Sequence, residues 1–307
     1  MDIGFTRRRF CQAVAACAAI PGLAAAGTST VNSMLTRRIP SSGELLPVIG
    51  LGTSDVFDVG ADEAARAPLA QVLKILLEAG GSLLDTSPMY GRAEGVSGEL
   101  VAAAGARARM FLATKVWTTG KAEGLRQIED SMRLLKTGVL DLVQVHNLVD
   151  LATQLANVRA LKEAGRVRYI GITHYTVAAH AELERVIGRE ALDFVQFNYS
   201  IVTRDAEQRL LPLAAERKVA VLVNRPYEDG ALFARVRGKP LPEWAAEFGC
   251  TSWGQFFLKF IVSHPAVSCV IPATSNPRHM LDNAAAGHGR LPEQPMREKM
   301  AAYFAAL

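Results

Sequence analysis

The sequence predicts a single α/β domain folded as a closed (β/α)8 barrel, the TIM-barrel architecture. Eight short apolar runs, each of the length of one strand, alternate along the chain with segments of helical periodicity. The runs lack a strict alternation of apolar and polar residues, which indicates strands buried on both faces. Composition does not change abruptly beyond the N-terminal segment, so one sheet closed on itself is favoured over two domains.

The eight predicted strands are short and rich in valine, leucine and isoleucine. In chain order they are residues 47–52, 82–86, 110–116, 140–146, 168–173, 192–197, 219–224 and 266–272. A doubly wound sheet is the alternative, and it would normally carry a Gly-x-Gly-x-x-Gly turn after its first strand. Here that strand leads into Gly-Leu-Gly-Thr-Ser-Asp, and the third glycine is missing.

Segments between the strands have the spacing of amphipathic helices. Residues 67–81 close on two glycines, and their apolar face comprises Leu69, Val72, Leu73, Leu76 and Leu77. Residues 151–165 repeat this pattern and stop at Gly165. Two flanking segments fall outside the repeat. Residues 34–47 predict a plug at the bottom of the barrel, and residues 297–307 predict a terminal packing helix.

The N-terminal segment, residues 1–26, has the layout of an export signal. Three arginines at 7–9 precede an apolar stretch that ends in small residues at 24–26. Thr-Arg-Arg-Arg-Phe resembles the twin-arginine signal, whose pathway carries folded proteins, so the mature barrel would span 27–307 and be periplasmic. One alternative is an amphipathic or disordered tail on a cytoplasmic enzyme. Another is lipidation at Cys17, for which the preceding apolar run is very short.

Composition and charge exclude several functional classes. Half of the 307 residues are hydrophobic and 21% are charged, which argues against disorder. The net charge of +4 is spread without a basic run, so no nucleic-acid partner is expected. Beyond the signal only Cys250 and Cys269 remain, too few for a disulfide framework, and Cys269 lies in a predicted strand. No metal site is predicted.

Three ionisable side chains stand at the ends of consecutive predicted strands: Asp85, Lys115 and His146. Taken singly, each has an ordinary structural explanation, because a strand-end aspartate often caps a helix, a lysine is usually solvated and a histidine often packs in the core. In a (β/α)8 barrel, however, the carboxyl ends of the strands meet at one rim, where active sites form. Three such groups at one rim predict a catalytic site.

Tyr90 stands five residues beyond Asp85, on the loop that must rise over the barrel mouth. A phenol has a reference pKa of about 10, too high for efficient proton exchange at neutral pH. A neighbouring ammonium favours the phenolate and lowers that pKa. A carboxylate paired to the same lysine fixes its position and offsets the burial of its charge. Asp85, Lys115 and Tyr90 are therefore predicted to form a tuned general acid–base.

The stretches that carry these residues resemble the aldo-keto reductase family. Asp-Thr-Ser-Pro-Met-Tyr-Gly matches its Asp/Tyr signature, Leu-Ala-Thr-Lys-Val-Trp its lysine strand and Leu-Val-Gln-Val-His-Asn its histidine strand. Residues 162–173 match the segment that opens its fifth strand, and residues 270–283 match its cofactor-binding end. The resemblance covers residues 45–290, nearly the whole chain beyond the signal.

The resemblance implies an NAD(P)(H)-dependent oxidoreductase that transfers hydride between nicotinamide and a carbonyl or alcohol substrate. Tyr90 would protonate the carbonyl oxygen, Lys115 held by Asp85 would lower the pKa of Tyr90, and His146 would orient the carbonyl. The alternative is a non-catalytic or regulatory cofactor-binding protein on the same scaffold, since a fold does not determine a function. The substrate stays open among aldehydes, ketones and sugars. Trp117 is predicted to be a pocket wall, and the family implies a monomer.

The resemblance also implies the residues that bind the cofactor, NADP(H) with NAD(H) possible. They are Thr173, His174, Gln196, Asn224, Arg225, Pro226, Gly230, Thr274, Ser275, Arg278, Asp282 and Asn283. Gln196 matches the family directly, whereas the family's Ser-Asn pair is replaced by Thr173 and His174.

Two further departures affect the cofactor site. The family's Tyr-Ser-Pro-Leu turn is replaced by residues 224–227, so the ring that stacks on nicotinamide is absent at its usual position. Ala273 and His279 stand where the family has a lysine and an arginine against the 2′-phosphate. The preference for NADP(H) over NAD(H) is therefore expected to be weak, with Arg278 carrying most of what remains.

Overall fold

The structure is a computed structural model that describes residues 33–307, and it begins with a two-stranded antiparallel hairpin. Strand β1 (Thr36–Arg38) pairs with β2 (Leu45–Pro47). Ile39 and Leu46 are buried among the side chains that fill the lower interior of the barrel. The predicted plug is therefore confirmed. The predicted export signal, residues 1–26, lies outside the described residues.

Eight parallel strands follow and form one sheet in which each strand pairs with the next. In chain order they are β3 (Leu51–Gly52), β4 (Leu83–Asp85), β5 (Phe111–Val116), β6 (Leu140–His146), β7 (Val167–Thr173), β8 (Phe194–Asn198), β9 (Ala220–Asn224) and β10 (Val267–Val270). Each coincides with one of the eight predicted strands.

The sheet closes between its first and last strands. Parallel bridges join Ile49 to Val270 and Gly52 to Ala273. Glycine is needed at position 52, because a Cβ atom there would lie 2.8 Å from the carbonyl oxygen of Ile271. This closure excludes the doubly wound alternative and confirms the predicted (β/α)8 barrel.

A helix follows every strand of the barrel. The helices are α1 (Glu63–Glu78), α2 (Ala93–Ala103), α3 (Lys121–Leu134), α4 (Leu151–Glu163), α5 (His180–Arg189), α6 (Leu210–Glu216), α7 (Ala231–Arg235), α8 (Trp253–Val262), α9 (Pro277–Ala285) and α10 (Gln294–Ala305). The predicted terminal helix is α10, whose Phe304 is buried. Within residues 33–307, no helix is long and apolar enough to cross a membrane.

The helix predicted from residue 67 begins earlier than expected. Asp62 caps α1 by accepting a hydrogen bond from the amide of Ala65 at 3.2 Å, so the helix starts at Glu63 and contains Pro68. A strong cap at Asp62 outweighs the start signal that Pro68 suggests. At the other end the chain leaves the helix through Gly80, whose φ is +89°, as the glycine pair predicted.

The core has two layers, one between the sheet and the helices and one inside the barrel. The inner layer includes Phe111, Leu142, Phe194 and Cys269. Cys269 is a fully buried free thiol in β10, as predicted from its apolar run, and Cys250 is also free and buried.

Candidate active site

Three of the predicted catalytic side chains point into the barrel at the carboxyl ends of their strands. In β6 the inward-pointing Leu142 is followed at two-residue intervals by Gln144 and His146. Alternate residues of a strand share one face, so these side chains rise in that order toward the rim. The same period brings Lys115 to the rim of β5 and Asp85 to the rim of β4.

Lys115 and Asp85 form a buried ion pair at the floor of the site. Lys115 Nζ lies 2.5 Å from Asp85 Oδ2 and donates a second hydrogen bond to the carbonyl oxygen of Thr86 at 2.8 Å. Lys115 is 0% exposed and Asp85 is 2% exposed. Burial lowers the pKa of Lys115, but the Asp85 carboxylate and Tyr90 outweigh burial, so its pKa is raised and the lysine stays charged.

The second oxygen of the Asp85 carboxylate is also satisfied. Asp85 Oδ1 accepts hydrogen bonds from Gln196 Nε2 at 2.9 Å and from Gln144 Nε2 at 3.2 Å. A buried ion pair is stable only when its remaining lone pairs are satisfied in this way. Sequence reasoning missed Gln144, although its position two residues before His146 in one strand was sufficient to place it on the same face.

Tyr90 lies above the buried pair. Lys115 Nζ is 5.0 Å from the centroid of the Tyr90 ring, and that ring meets the His146 ring edge-on with centroids 6.0 Å apart. Burial raises the pKa of Tyr90, Lys115 lowers it and Asp85 raises it. Lys115 thus acts in the predicted direction, but burial outweighs it and the pKa of Tyr90 ends above its ordinary value. Tyr90 therefore holds its proton at neutral pH.

His146 is a neutral imidazole at the rim. Burial, followed by the charge of Lys115 and by His174, lowers the pKa of His146 to about 3. Its Nδ1 lies 3.1 Å from the hydroxyl oxygen of Ser87, which sequence reasoning did not assign to the site. A neutral imidazole has one donor and one acceptor nitrogen, so it can donate a hydrogen bond to a carbonyl oxygen without carrying charge.

A cavity of about 1120 Å³ opens over these side chains. Most of the residues predicted to be catalytic or to bind the cofactor line it: Asp85, Tyr90, His146, Thr173, Gln196, Asn224, Arg225, Pro226, Gly230, Thr274, Asp282 and Asn283. Lys115 lies beneath the lining, and its atoms are fully buried. The volume and the elongated set of loops, from β3 to α9, suit a ligand larger than a small carbonyl compound.

Polar side chains cluster at the inner end of the cavity. Gln196 Oε1 accepts hydrogen bonds from Thr173 Oγ1 at 3.1 Å and from Asn224 Nδ2 at 3.2 Å. Asn224 Nδ2 also donates to the carbonyl oxygen of His174 at 3.0 Å. Asn224 Oδ1 is buried and has no hydrogen-bond partner within residues 33–307. Such an acceptor indicates a ligand that brings its own donor.

An aromatic and carboxylate wall forms the outer end of the cavity. The rings of Tyr227 and Phe233 pack with centroids 4.8 Å apart, and the Tyr227 hydroxyl donates to Asn283 Oδ1 at 2.6 Å. Asp282 is held by Ser252 Oγ at 2.6 Å and by Gln255 Nε2 at 2.7 Å. Sequence reasoning placed Asp282 and Asn283 here but missed the aromatic pair.

Positive charge in the cavity is sparse. Arg225 is the arginine of the lining, and its guanidinium is paired with Asp229 through bonds of 3.1 and 2.5 Å. Arg278, predicted to hold the 2′-phosphate, is exposed on α9 and does not belong to the cavity lining. Its neighbour His279, one position farther along the helix, does line the cavity, as do Asp282 and Asn283 of the same helix.

Three other predicted contacts also lie outside the lining. The His174 side chain is taken up by its own turn, since Nδ1 accepts from the amides of Tyr175 at 3.0 Å and Thr176 at 3.3 Å. Asn224 bonds to the His174 carbonyl oxygen and stands in the cavity beside it. Ser275 is exposed beyond the rim. Trp117 is 42% exposed and lies outside the lining. Tyr175 and Met89 belong to the lining instead.

The fold and the cavity together define a (β/α)8 enzyme with its site at the carboxyl ends of the strands. The chain belongs to the aldo/keto reductase family, whose model matches residues 48–302. It is therefore an oxidoreductase.

Known relatives agree with this assignment. The chain is 30% identical over 260 residues to methylglyoxal reductase YeaE of Escherichia coli K12, covering 82% of this chain and 89% of the relative. An aldo/keto reductase of Klebsiella pneumoniae, solved in complex with NADP and acetate, superposes with a TM-score of 0.70 at 25% identity over 85% of this chain and 93% of its own. The holo form of the aldo-keto reductase AKR11C1 of Bacillus halodurans has the same fold, with a TM-score of 0.71 at 24% identity over 88% and 96%.

Proposed function

We propose that the protein reduces the carbonyl group of a small molecule, an aldehyde, ketone or sugar, with NADP(H) as cofactor, and that Tyr90 is the proton donor. The observation that carries the proposal is the buried Lys115–Asp85 pair, which lies beneath Tyr90 and beside a neutral His146. Each of these groups suits the stabilisation of charge on a carbonyl oxygen.

The residues of the cavity fit a nicotinamide cofactor. The unpartnered Asn224 Oδ1 requires a donor, which a carboxamide supplies, and the Thr173 hydroxyl, which donates to Gln196, can still accept a hydrogen bond beside it. The Tyr227 and Phe233 rings at the other end offer an apolar face for a base. When bound, the cofactor supplies the hydride. The Klebsiella pneumoniae relative was solved in complex with NADP.

The side chains of this protein then have separate tasks. His146 orients the carbonyl oxygen by a hydrogen bond. Tyr90 gives its hydroxyl proton to that oxygen as negative charge develops there. Lys115 stabilises the phenolate that remains, and Asp85 holds Lys115 in place with the help of Gln144 and Gln196.

Turnover of a panel of aldehydes with NADPH tests the proposed function. The panel includes methylglyoxal, which the name of the Escherichia coli relative suggests, together with benzaldehyde and simple sugars. We expect NADPH oxidation with at least one of them. Tight NADPH binding, measured by fluorescence, without oxidation on any compound would instead support the non-catalytic or regulatory alternative.

Cofactor preference is expected to be weak. Each charge-assisted hydrogen bond to a phosphate is worth roughly 1.5–3 kcal/mol, and the arginine that lines the cavity is already paired to Asp229. Calorimetric titration with NADPH and NADH should therefore give dissociation constants that differ by about tenfold or less.

The same titration on Arg278→Ala tests whether Arg278 binds the 2′-phosphate, as the sequence predicts, or stays outside the cofactor site, as its position on α9 indicates. Because the Arg278 side chain is exposed outside the cavity, we expect the ratio of the two constants to change by about threefold or less. Arg133→Ala on α3, another exposed arginine, is the matched control. A strong preference for NADPH that disappears in Arg278→Ala would show that Arg278 binds the 2′-phosphate.

We further propose that residues 1–26 direct export of the folded barrel, on the sequence pattern alone. Fractionation of cells that express the untagged chain should find a shortened protein in the periplasm. Replacing Arg7 and Arg8 together by lysine should leave the full-length chain in the cytosol, because the twin-arginine pathway requires that pair. Cytosolic full-length protein from both versions would disprove export and favour a cytoplasmic enzyme.

A further inference from the structure

Ser87 joins the loop that carries Tyr90 to the imidazole of His146. Its side chain is 0% exposed, and its Oγ lies 3.1 Å from His146 Nδ1. The amide of Met89 donates to the same oxygen at 3.3 Å. Pro88 restrains Ser87 to an extended backbone, which leaves the hydroxyl directed at the end of β6. Ser87 itself, two positions beyond Asp85, takes no part in the ion pair of Asp85 and Lys115.

Counting donors and acceptors distinguishes the two tautomers of a neutral His146. With the proton on Nδ1, Ser87 Oγ would accept from both Nδ1 and the Met89 amide, and its own hydroxyl proton would find no acceptor within residues 33–307. With the proton on Nε2, the hydroxyl donates to Nδ1 and accepts from Met89. The Ser87 hydroxyl and His146 Nδ1, which are both buried, then each have a partner, as buried polar groups require.

We propose that Ser87 is a positioning residue that holds His146 in the tautomer with its proton on Nε2. His146 lines the cavity and its Nδ1 is occupied by Ser87, so Nε2 is the nitrogen left for the substrate. The imidazole then presents a donor to the cavity. The other tautomer would present a lone pair, which repels a carbonyl oxygen.

The catalytic consequence rests on the proposed function. Loss of the Ser87 hydroxyl frees the imidazole to adopt either tautomer and to rotate. Residues that orient another functional side chain in this way typically contribute about 10- to 100-fold. We therefore expect Ser87→Ala to lower kcat for carbonyl reduction about tenfold, with a smaller change in KM, because the hydrogen bond strengthens as charge develops on the oxygen.

The test follows the tautomer directly. Full-length protein labelled with ¹⁵N-histidine is compared as wild type, Ser87→Ala and Ser87→Thr, and the His146 signals are assigned by their absence in His146→Gln. Ser97→Ala is the matched control, since Ser97 is also 0% exposed but its hydroxyl has no partner within the described chain. We expect the wild type and Ser97→Ala to show a protonated Nε2 and an unprotonated Nδ1. In Ser87→Ala, the ¹⁵N signals of the two His146 nitrogens should be averaged between the two neutral tautomers.

Restoration of both the nitrogen signals and kcat in Ser87→Thr would support positioning by the hydroxyl. A protonated Nδ1 in the wild type, or an unchanged His146 spectrum in Ser87→Ala, would overturn the proposal. The spectra are recorded without substrate, so they decide the tautomer even if no compound is turned over. Failure of the proposed function and failure of the inference are thereby distinguished. If Ser87→Thr does not fold, the spectrum of Ser87→Ala alone decides whether the Ser87 hydroxyl sets the tautomer of His146.

Discussion

Tyr90→Phe is expected to lower kcat for carbonyl reduction by about 10²- to 10⁴-fold, the usual contribution of a positioned proton donor. The ring stays, so its edge-on contact with His146 and its contact with Lys115 are retained. Only the hydroxyl is removed, and with it the proton that the carbonyl oxygen must receive. Steady-state kinetics with the best aldehyde of the panel measures the loss. Near wild-type turnover would show that another group supplies the proton.

Cofactor titration is the control for this variant, and a pH profile of the wild type tests the protonation states of Tyr90 and His146. Binding of NADPH to Tyr90→Phe should match the wild type, because no bond from Tyr90 holds the polar cluster around Gln196. In the wild type, burial raises the pKa of Tyr90 and lowers that of His146 to about 3. Tyr90 stays protonated and His146 neutral in the intervening range, so kcat/KM for reduction, which reports ionisations of the free enzyme, should be flat between about pH 5 and about pH 9. An acidic limb near the ordinary histidine pKa would contradict the neutral His146.

The barrel and its rim could be predicted because strand periodicity is a local property. A run such as 140–146 is apolar enough to be a strand, and its end places His146 without any knowledge of its neighbours. Parallel strands align their ends, so Asp85 and Lys115 follow by the same rule. The Ser87–His146 contact could not be predicted in this way, because it depends on how a loop after β4 folds across the end of β6.

The lining of the cavity at its cofactor end is harder to predict from the sequence, because it is built from loops and a helix face. On α9 a shift of one residue turns a side chain by about 100°. That rotation separates Arg278, which lies outside the cavity lining, from His279, which belongs to it. His174 was chosen because it replaces an asparagine, but its side chain bonds within its own turn, and Asn224 from β9 stands in the cavity instead. Trp117, at the start of the loop after β5, is 42% exposed and does not line the cavity.

Lys115→Met is expected to damage stability and catalysis together. The lysine is fully buried, and its removal leaves the Asp85 carboxylate with only the amides of Gln144 and Gln196. Breaking a buried pair in this way costs about 3–5 kcal/mol, and the two glutamines favour the lower end of that range. The urea midpoint should fall accordingly. Turnover should fall by about 10²-fold, since no cation then stabilises the Tyr90 phenolate.

The double variant Asp85→Asn, Lys115→Met separates the two effects. It removes both charges, so no unpaired carboxylate remains buried, and an asparagine can still accept from a glutamine amide. We expect the double variant to recover most of the lost urea midpoint and none of the lost turnover. The pair would then be shown to serve the reaction rather than the fold, because a neutral replacement restores folding alone. A single variant as stable as the wild type would mean that Asp85 becomes protonated or hydrated when Lys115 is absent, and recovery of turnover in the double variant would remove Lys115 from the mechanism.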